Sequence, residues 1–183
     1  MLPRLLAPFP LVLLAACGGG TDDSAPAGSP AASPGAAAPS ALTAPAAAVS
    51  AIDPARLADP CQFKPAEITA ALGLAVDSTE PATMGAMLGC SYKGAKGMVR
   101  LNLIVHDPVY FAQATAMSRT SRPGEKTDVA DDPDKAWWQF QDTGGTILHY
   151  YRQNVEVEVI PMFDGSKDRA AMQAGLLKLR RVP

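Results

Sequence analysis

Apolar residues recur at helical spacing in three places and at every second position in two others, and glycine- or proline-bearing turns separate these runs. Together they predict an α+β fold: an antiparallel sheet of about five strands with three helices packed on one face, closed by one disulfide. The fold is expected over residues 51–183, an ordinary size for one hydrophobic core.

The first helix opens at Pro65-Ala66-Glu67, with proline at the first helical position. Ile68, Ala71 and Leu72 follow at helical spacing, and Gly73 supplies the left-handed stop. A second begins at Asp107-Pro108, with Asp107 as N-cap, and carries Phe111, Ala114 and Met117 towards Ser118. A third runs from about Ser166 to Leu179. It ends in Lys178, Arg180 and Arg181, where cations suit the helix dipole.

Between the helices the period is two. Val99, Leu101, Leu103 and Val105 alternate with Arg100, Asn102, Ile104 and His106, and Val155, Val157 and Val159 alternate with Glu156 and Glu158. Each such strand has one dry face and one wetter face. Residues 94–97 turn the strand at 88–92 into the first of these. Residues 142–145 join 136–141 to 147–152, and Gln153-Asn154 turns that strand into the last. The order helix, two strands, helix, three strands, helix suggests two related halves.

Ahead of the domain, Arg4 precedes an apolar run over residues 5–16 that ends in Leu14-Ala15-Ala16-Cys17, the layout of an export signal. The run is shorter than the roughly 20 residues a bilayer span needs, and Pro8 and Pro10 interrupt it. Its end resembles a lipobox. That resemblance implies cleavage after residue 16, acylation of Cys17 and a membrane anchor. Gly18 after the cysteine points to the outer membrane, facing the periplasm, in a Gram-negative host. A plain secretory signal is the alternative. Residues 17–50 then form a tether: Ala, Pro, Ser and Gly dominate, Pro26, Pro30, Pro34, Pro39 and Pro45 interrupt any helix, and little apolar surface is available to offset ordering entropy.

Loss of Arg4 with the leader leaves fifteen Lys and Arg, from sixteen, against eighteen Asp and Glu, a mildly acidic balance of −3. With no basic run beyond Arg180-Arg181, nucleic acid is not an expected partner. Once Cys17 is spent on lipid, Cys61 and Cys90 remain, and in an oxidising compartment two thiols pair. The loop they close is worth about 3.5 kcal/mol on the chain-entropy model.

Asp59-Pro60-Cys61, the helix end Ala70-Ala71-Leu72-Gly73, Gly89-Cys90-Ser91-Tyr92 and the turn Asp132-Pro133-Asp134-Lys135-Ala136 resemble a group of small secreted bacterial lipoproteins. That group carries Asp-Pro-Cys, a helix ending in Leu-Gly, a Gly-Cys-x-Tyr strand and a Gly-Asp-x-Ala turn. Pro133 stands where the group usually has glycine, and Lys64 where Thr or Ser often caps the helix. The resemblance implies fold and location and carries over no catalytic residue.

Chemical motifs are absent: no GxSxG elbow, HExxH, phosphate loop or CxxC occurs. Ser91 reads as a strand residue and not as a nucleophile. His106 and His149 are candidate bases or ligands, though each falls in or at the end of a strand. Asp128, Asp131, Asp132 and Asp134 lack EF-hand spacing and read as a solvated turn. No metal and no cofactor is expected. The better lead is aromatic: within Trp137-Trp138 and Tyr150-Tyr151, alternation sends one ring to the helices and one outward. Outward rings beside Arg152 would make a binding surface for a protein partner or small ligand, unless a crossing element covers them. The reading is a lipid-anchored envelope protein with a non-enzymatic binding domain. Its alternatives are an immunity or inhibitor lipoprotein that neutralises an exported toxin or hydrolase, and a hydrolase with an unrecognised site around His106 or His149.

Overall fold

The computed structural model describes residues 47–165 and 168–183. The leader, Cys17, the tether up to residue 46 and the start expected for the third helix at Ser166 lie outside the described residues.

The described residues form three α-helices, α1 (Pro65–Leu72), α2 (Phe111–Ser121) and α3 (Arg169–Lys178), around one sheet. Its strands are β1 (Ser78–Met84), β2 (Met87–Gly94), β3 (Gly97–Val105), β4 (Glu125–Asp128), β5 (Trp137–Phe140), β6 (Thr146–Arg152) and β7 (Val155–Phe163). The fold class is α+β with an antiparallel sheet, but the sheet has seven strands, not about five, in the order β1-β2-β3-β7-β6-β5-β4. One meander (β1–β3) meets another (β4–β7) along the long β3/β7 pair, which runs from Gly97 opposite Phe163 to Val105 opposite Val155.

The two strands not foreseen are the two edges. β1 is exposed along its whole length and contains Pro81, and β4 is almost as exposed. An edge strand that buries neither face has no reason to alternate, and proline is tolerated there because a ladder is needed on one side only.

Side chains face as expected along β3 and β7, but the face expected to be wetter is buried too at Asn102, Glu156 and Glu158. Val99, Leu101, Leu103, Val155, Val157 and Val159 are all fully buried on one face, against Ile68 and Leu72 of α1 and Leu176 of α3. Each such side chain contributes on the order of 1.5–3 kcal/mol by leaving water. In α1 the Glu67 carboxylate accepts the Lys64 N–H at 2.7 Å, and Gly73, at φ 69°, closes the helix by donating to Thr69 O at 2.9 Å. Asp168 caps α3 by accepting from Ala171 N at 2.8 Å. A Cβ on Gly175 would stand 2.5 Å from Ala71 O, so only glycine lets α3 cross α1 this closely. Cys61 and Cys90 form the disulfide, tying the approach to α1 to β2 with Cα atoms 5.0 Å apart.

The second helix corrects two expectations. It begins at Phe111, because Asp107 spends its carboxylate on Val109 N at 2.8 Å in a turn ahead of the helix instead of capping it. It also does not join α1 and α3 on one face. Phe111 meets Tyr151 edge-on at 5.7 Å, and Ser118 bonds Glu156 at 3.0 Å, so α2 lies on the opposite face. Two layers of helix therefore sandwich part of the sheet. No helix of the described residues is long and apolar enough to cross a membrane.

Candidate functional site

Strand register sorts the second face into cross-strand rows. Asn102 stands opposite Glu158, Glu158 opposite His149 and His149 opposite Trp137. In the other direction Asn102 stands opposite Gly89, and Gly89 opposite Ala82. A neighbouring row runs Met84, Met87, Ile104, Glu156, Tyr151. α2 covers the end of these rows that carries the ionisable side chains, and among the described residues no helix is bonded to the β1–β3 end.

Beneath α2 the ionisable residues hold one another. Arg122, just past the helix, bonds Glu158 and reaches Glu156 at 3.3 Å; Ser118 donates to Glu156 at 3.0 Å and Asn102 to Glu158 at 2.8 Å. His106 Nε2 lies 3.3 Å from the other Glu156 oxygen. Burial alone would raise the Glu156 carboxyl, but His149, Arg122 and Ser118 outweigh it and hold the group below its ordinary value. His149 is fully buried and stacked on Trp137. Its Nε2 faces Gln139 Oε1 at 3.0 Å, and Gln139 is itself fixed by donating to Pro123 O at 2.9 Å. That arrangement places the ring proton on Nε2 and leaves Nδ1 without a hydrogen-bond partner, 3.8 Å from Glu156. Burial lowers the His149 pKa, which keeps the ring neutral.

Ligand atoms of His149, Glu156 and Glu158 lie within 4.8 Å of one another, a spacing that could hold a cation. The positive charge placed against both carboxylates is the Arg122 guanidinium, which supplies the neutralisation an ion would otherwise supply. The acidic group of the later turn follows the same rule. Asp128 pairs with Arg119 at 2.8 Å, Asp134 with Arg152 at 3.0 Å and Asp132 with Arg181 at 2.5 Å; Arg181 also reaches Asp134 at 3.8 Å, and Asp131 is exposed.

The aromatic pairs split across the sheet as expected, Trp138 and Tyr150 to the α1/α3 core and Trp137 and Tyr151 to the other face. The expected exposure does not follow. Trp137 is fully buried, with His149 stacked on it, Arg119 over its ring and its indole N–H bonded to Tyr151 Oη at 3.0 Å. Tyr151 is half-buried against Phe111, and Arg152 is half-buried beside Asp134. α2 is the crossing element that closes this surface.

The open end of the second face carries methionines. Met84 and Met87 stand there opposite one another, with Met87 opposite Ile104 on its other side. Met84 is 73% exposed, the most exposed large apolar side chain among the described residues. Gly89 leaves a hollow between Met84, Met87, Ser91, Arg100 and Asn102, a groove of about 200 Å³. Arg100 is exposed at its rim, and its guanidinium has no hydrogen-bond or ion-pair partner among the described residues. Asn102 Nδ2 is spent on Glu158, and its Oδ1 faces Gly89 from the groove side. Unbranched, polarisable methionine adapts to varied apolar partners, which is why such surfaces recur in binding proteins.

The signal for this surface was present in the sequence as an oddity of β1 and β2, a run Met84-Gly85-Ala86-Met87-Leu88-Gly89 with apolar residues on both faces of a hairpin. It was not legible, because β1 itself was not. No family model, no curated protein and no solved structure matches the chain.

Proposed function

We propose that the chain is a lipid-anchored envelope protein of the small secreted lipoprotein type whose domain acts by binding, and that its ligand seats on the open β1–β3 end of the second sheet face. The observation that carries this reading is the contrast between the two ends. Where the ionisable side chains gather, Glu156 and His149 are fully buried and engaged with Arg122, Ser118, Gln139 and Trp137. Where the face is open, it offers adaptable apolar side chains, a hollow at Gly89 and one unpaired cation. Such a surface suits a ligand with an apolar body and a negatively charged group within reach of Arg100.

Anilinonaphthalene sulfonate, an aromatic anion that brightens in apolar surroundings, is a suitable probe. The mature chain should enhance its emission. Gly89→Leu, which fills the hollow, should abolish the enhancement, and Arg100→Gln should weaken binding about tenfold, the equivalent of one charge-assisted contact of roughly 1.4 kcal/mol. Nile red, which is uncharged, should be lost with Gly89→Leu and unaffected by Arg100→Gln. Equal dye binding by all three chains, with unchanged thermal melts, would overturn the assignment.

A further inference from the structure

The outer side of α2 does not look like the outer side of a surface helix. Helices at a protein surface ordinarily turn charged residues to water, yet no ionised side chain occurs between Asp107 and Arg119. What this stretch presents instead is apolar: Val109 is 58% exposed, Tyr110 62% and Met117 62%, three of the six large hydrophobic side chains that are exposed among the described residues. Tyr110, Ala114 and Met117 stand at helical spacing, so the two larger tips share a side, with the small exposed Ala112 and Ala116 and the uncharged Gln113 around them. Phe111, Thr115 and Ser118, which face the sheet, occupy the other side.

The position of this patch in the chain is the second observation. The Val49 N–H bonds the Pro108 carbonyl at 3.3 Å, immediately beside Val109 and Tyr110. The tether therefore joins the folded domain at the edge of the patch, and the chain beyond it leads back through residues 17–46 to Cys17.

We infer that the Val109/Tyr110/Met117 patch rests in the headgroup layer of the membrane to which the chain is anchored, so that the domain lies against the bilayer on α2 and turns other surfaces outward. The inference rests on the lipid-anchor reading. Three partly exposed side chains give only modest affinity to a free domain, on the order of a hundredfold in partition if each gains a little under 1 kcal/mol. An anchored domain needs no more, because a tether of this length holds it at an effective concentration of about millimolar. Tyrosine, with an apolar ring and a polar tip, suits that interface, and the absence of charge removes the usual desolvation cost. A second copy of the chain, paired through the same stripe, is the competing occupant.

The test supplies the anchor itself, which separates this inference from natural lipidation. With Cys61 and Cys90 in their disulfide, Cys17 is the free thiol of the mature chain, residues 17–183, and can be coupled to maleimide-lipid in phosphatidylcholine vesicles. Tyr110→Trp places a reporter on the patch, while Trp137 and Trp138 are buried too deeply for contact quenching. In vesicles of brominated phosphatidylcholine the Tyr110→Trp chain should lose emission relative to ordinary vesicles, the unsubstituted chain should not, and adding Val109→Ser and Met117→Ser to Tyr110→Trp should restore it. No extra quenching in Tyr110→Trp would overturn the inference. So would a dimer in sedimentation without vesicles that Met117→Ser dissociates, which would give the stripe to a second copy. Metabolic labelling of Cys17 in the host reports separately on the anchor.

Discussion

The imidazole of His149 lies flat on the indole of Trp137, ring centroids 3.9 Å apart and planes 6° from parallel. Strand pairing puts the two residues directly opposite one another, and α2 then seals them from above. An outward-facing ring on a sheet is a binding surface only if nothing crosses it, and here a helix does.

Trp137 and Trp138 are therefore both core residues, on opposite faces of one strand. Trp137→Ala and Trp138→Ala should each lower stability by about 3–5 kcal/mol, as truncations of large buried side chains do. Urea melts of the two variants decide the matter. A loss below about 1 kcal/mol for Trp137→Ala would mean that α2 does not cover it in solution.

His149 makes the domain sensitive to mild acid. Its folded pKa lies below the ordinary 6.5, so between the two values the unfolded chain binds the proton and the folded chain does not. The stability is complete above pH 6.5 and is lost as pH falls, with a limiting slope of about 1.4 kcal/mol per pH unit. The groups facing the ring are Glu156 and Glu158 from β7, Arg122 beyond α2, and Gln139 and Trp137 from β5. Glu156, held below 4.5, adds a loss of the same sign only at lower pH. Thermal melts from pH 7.5 to 5 should show the decline in the parent chain and a flatter profile in His149→Gln. Parallel profiles would show that His149 does not titrate in this way.

What the sequence made legible is what burial makes periodic. Val99, Leu101 and Leu103, like Val155, Val157 and Val159, alternate because one face of each strand is covered by α1 and α3, and the disulfide follows from Cys61 and Cys90 being the two cysteines within residues 51–183. The two edge strands were invisible because Ser78–Met84 and Glu125–Asp128 bury neither face. The placement of α2 was misread for a different reason. Glu156, Glu158, Asn102 and His149 look like a wet face, and they are buried only because Arg122 and Ser118 arrive from a helix to satisfy them. Polar residues in a strand mark a face that is hydrogen-bonded, and the sequence does not say whether the partner is water or protein. The same ambiguity turned Trp137 from a buried ring into an expected contact surface.

The disulfide carries part of the stability through the unfolded state. It joins residues separated by 29 positions, a loop for which the chain-entropy model gives about 3.5 kcal/mol. Cys61→Ala with Cys90→Ala should lower the denaturant midpoint accordingly, within about 2–5 kcal/mol. Two free thiols in the unreduced, unfolded mature domain, beyond Cys17, would show that the pair does not form.

Arg122 is the residue on which the covered half of the second face depends. Its guanidinium bonds Glu158 and reaches Glu156 at 3.3 Å, and those carboxylates are 6% and 0% exposed. Removing the cation leaves two buried negative charges with the Ser118 hydroxyl, the Asn102 amide and the rings of His106 and His149 for company. Arg122→Met should therefore cost about 3–5 kcal/mol at neutral pH, most of it the penalty of the orphaned carboxylates and not the worth of the ion pairs themselves. Two consequences separate this from a simple packing defect. In Arg122→Met the Glu156 carboxylate loses a cation that favours its charged form and is driven towards protonation in the folded state, so the deficit should shrink as pH is lowered from 7.5 to 5. Adding Glu156→Gln and Glu158→Gln should restore much of the loss, because neutral amides need no counter-charge. Urea melts of the single and triple variants at the two pH values supply the comparison. A triple variant no more stable than Arg122→Met, with a deficit independent of pH, would show that Arg122 acts through its hydrocarbon stem and that the two glutamates find their compensation elsewhere.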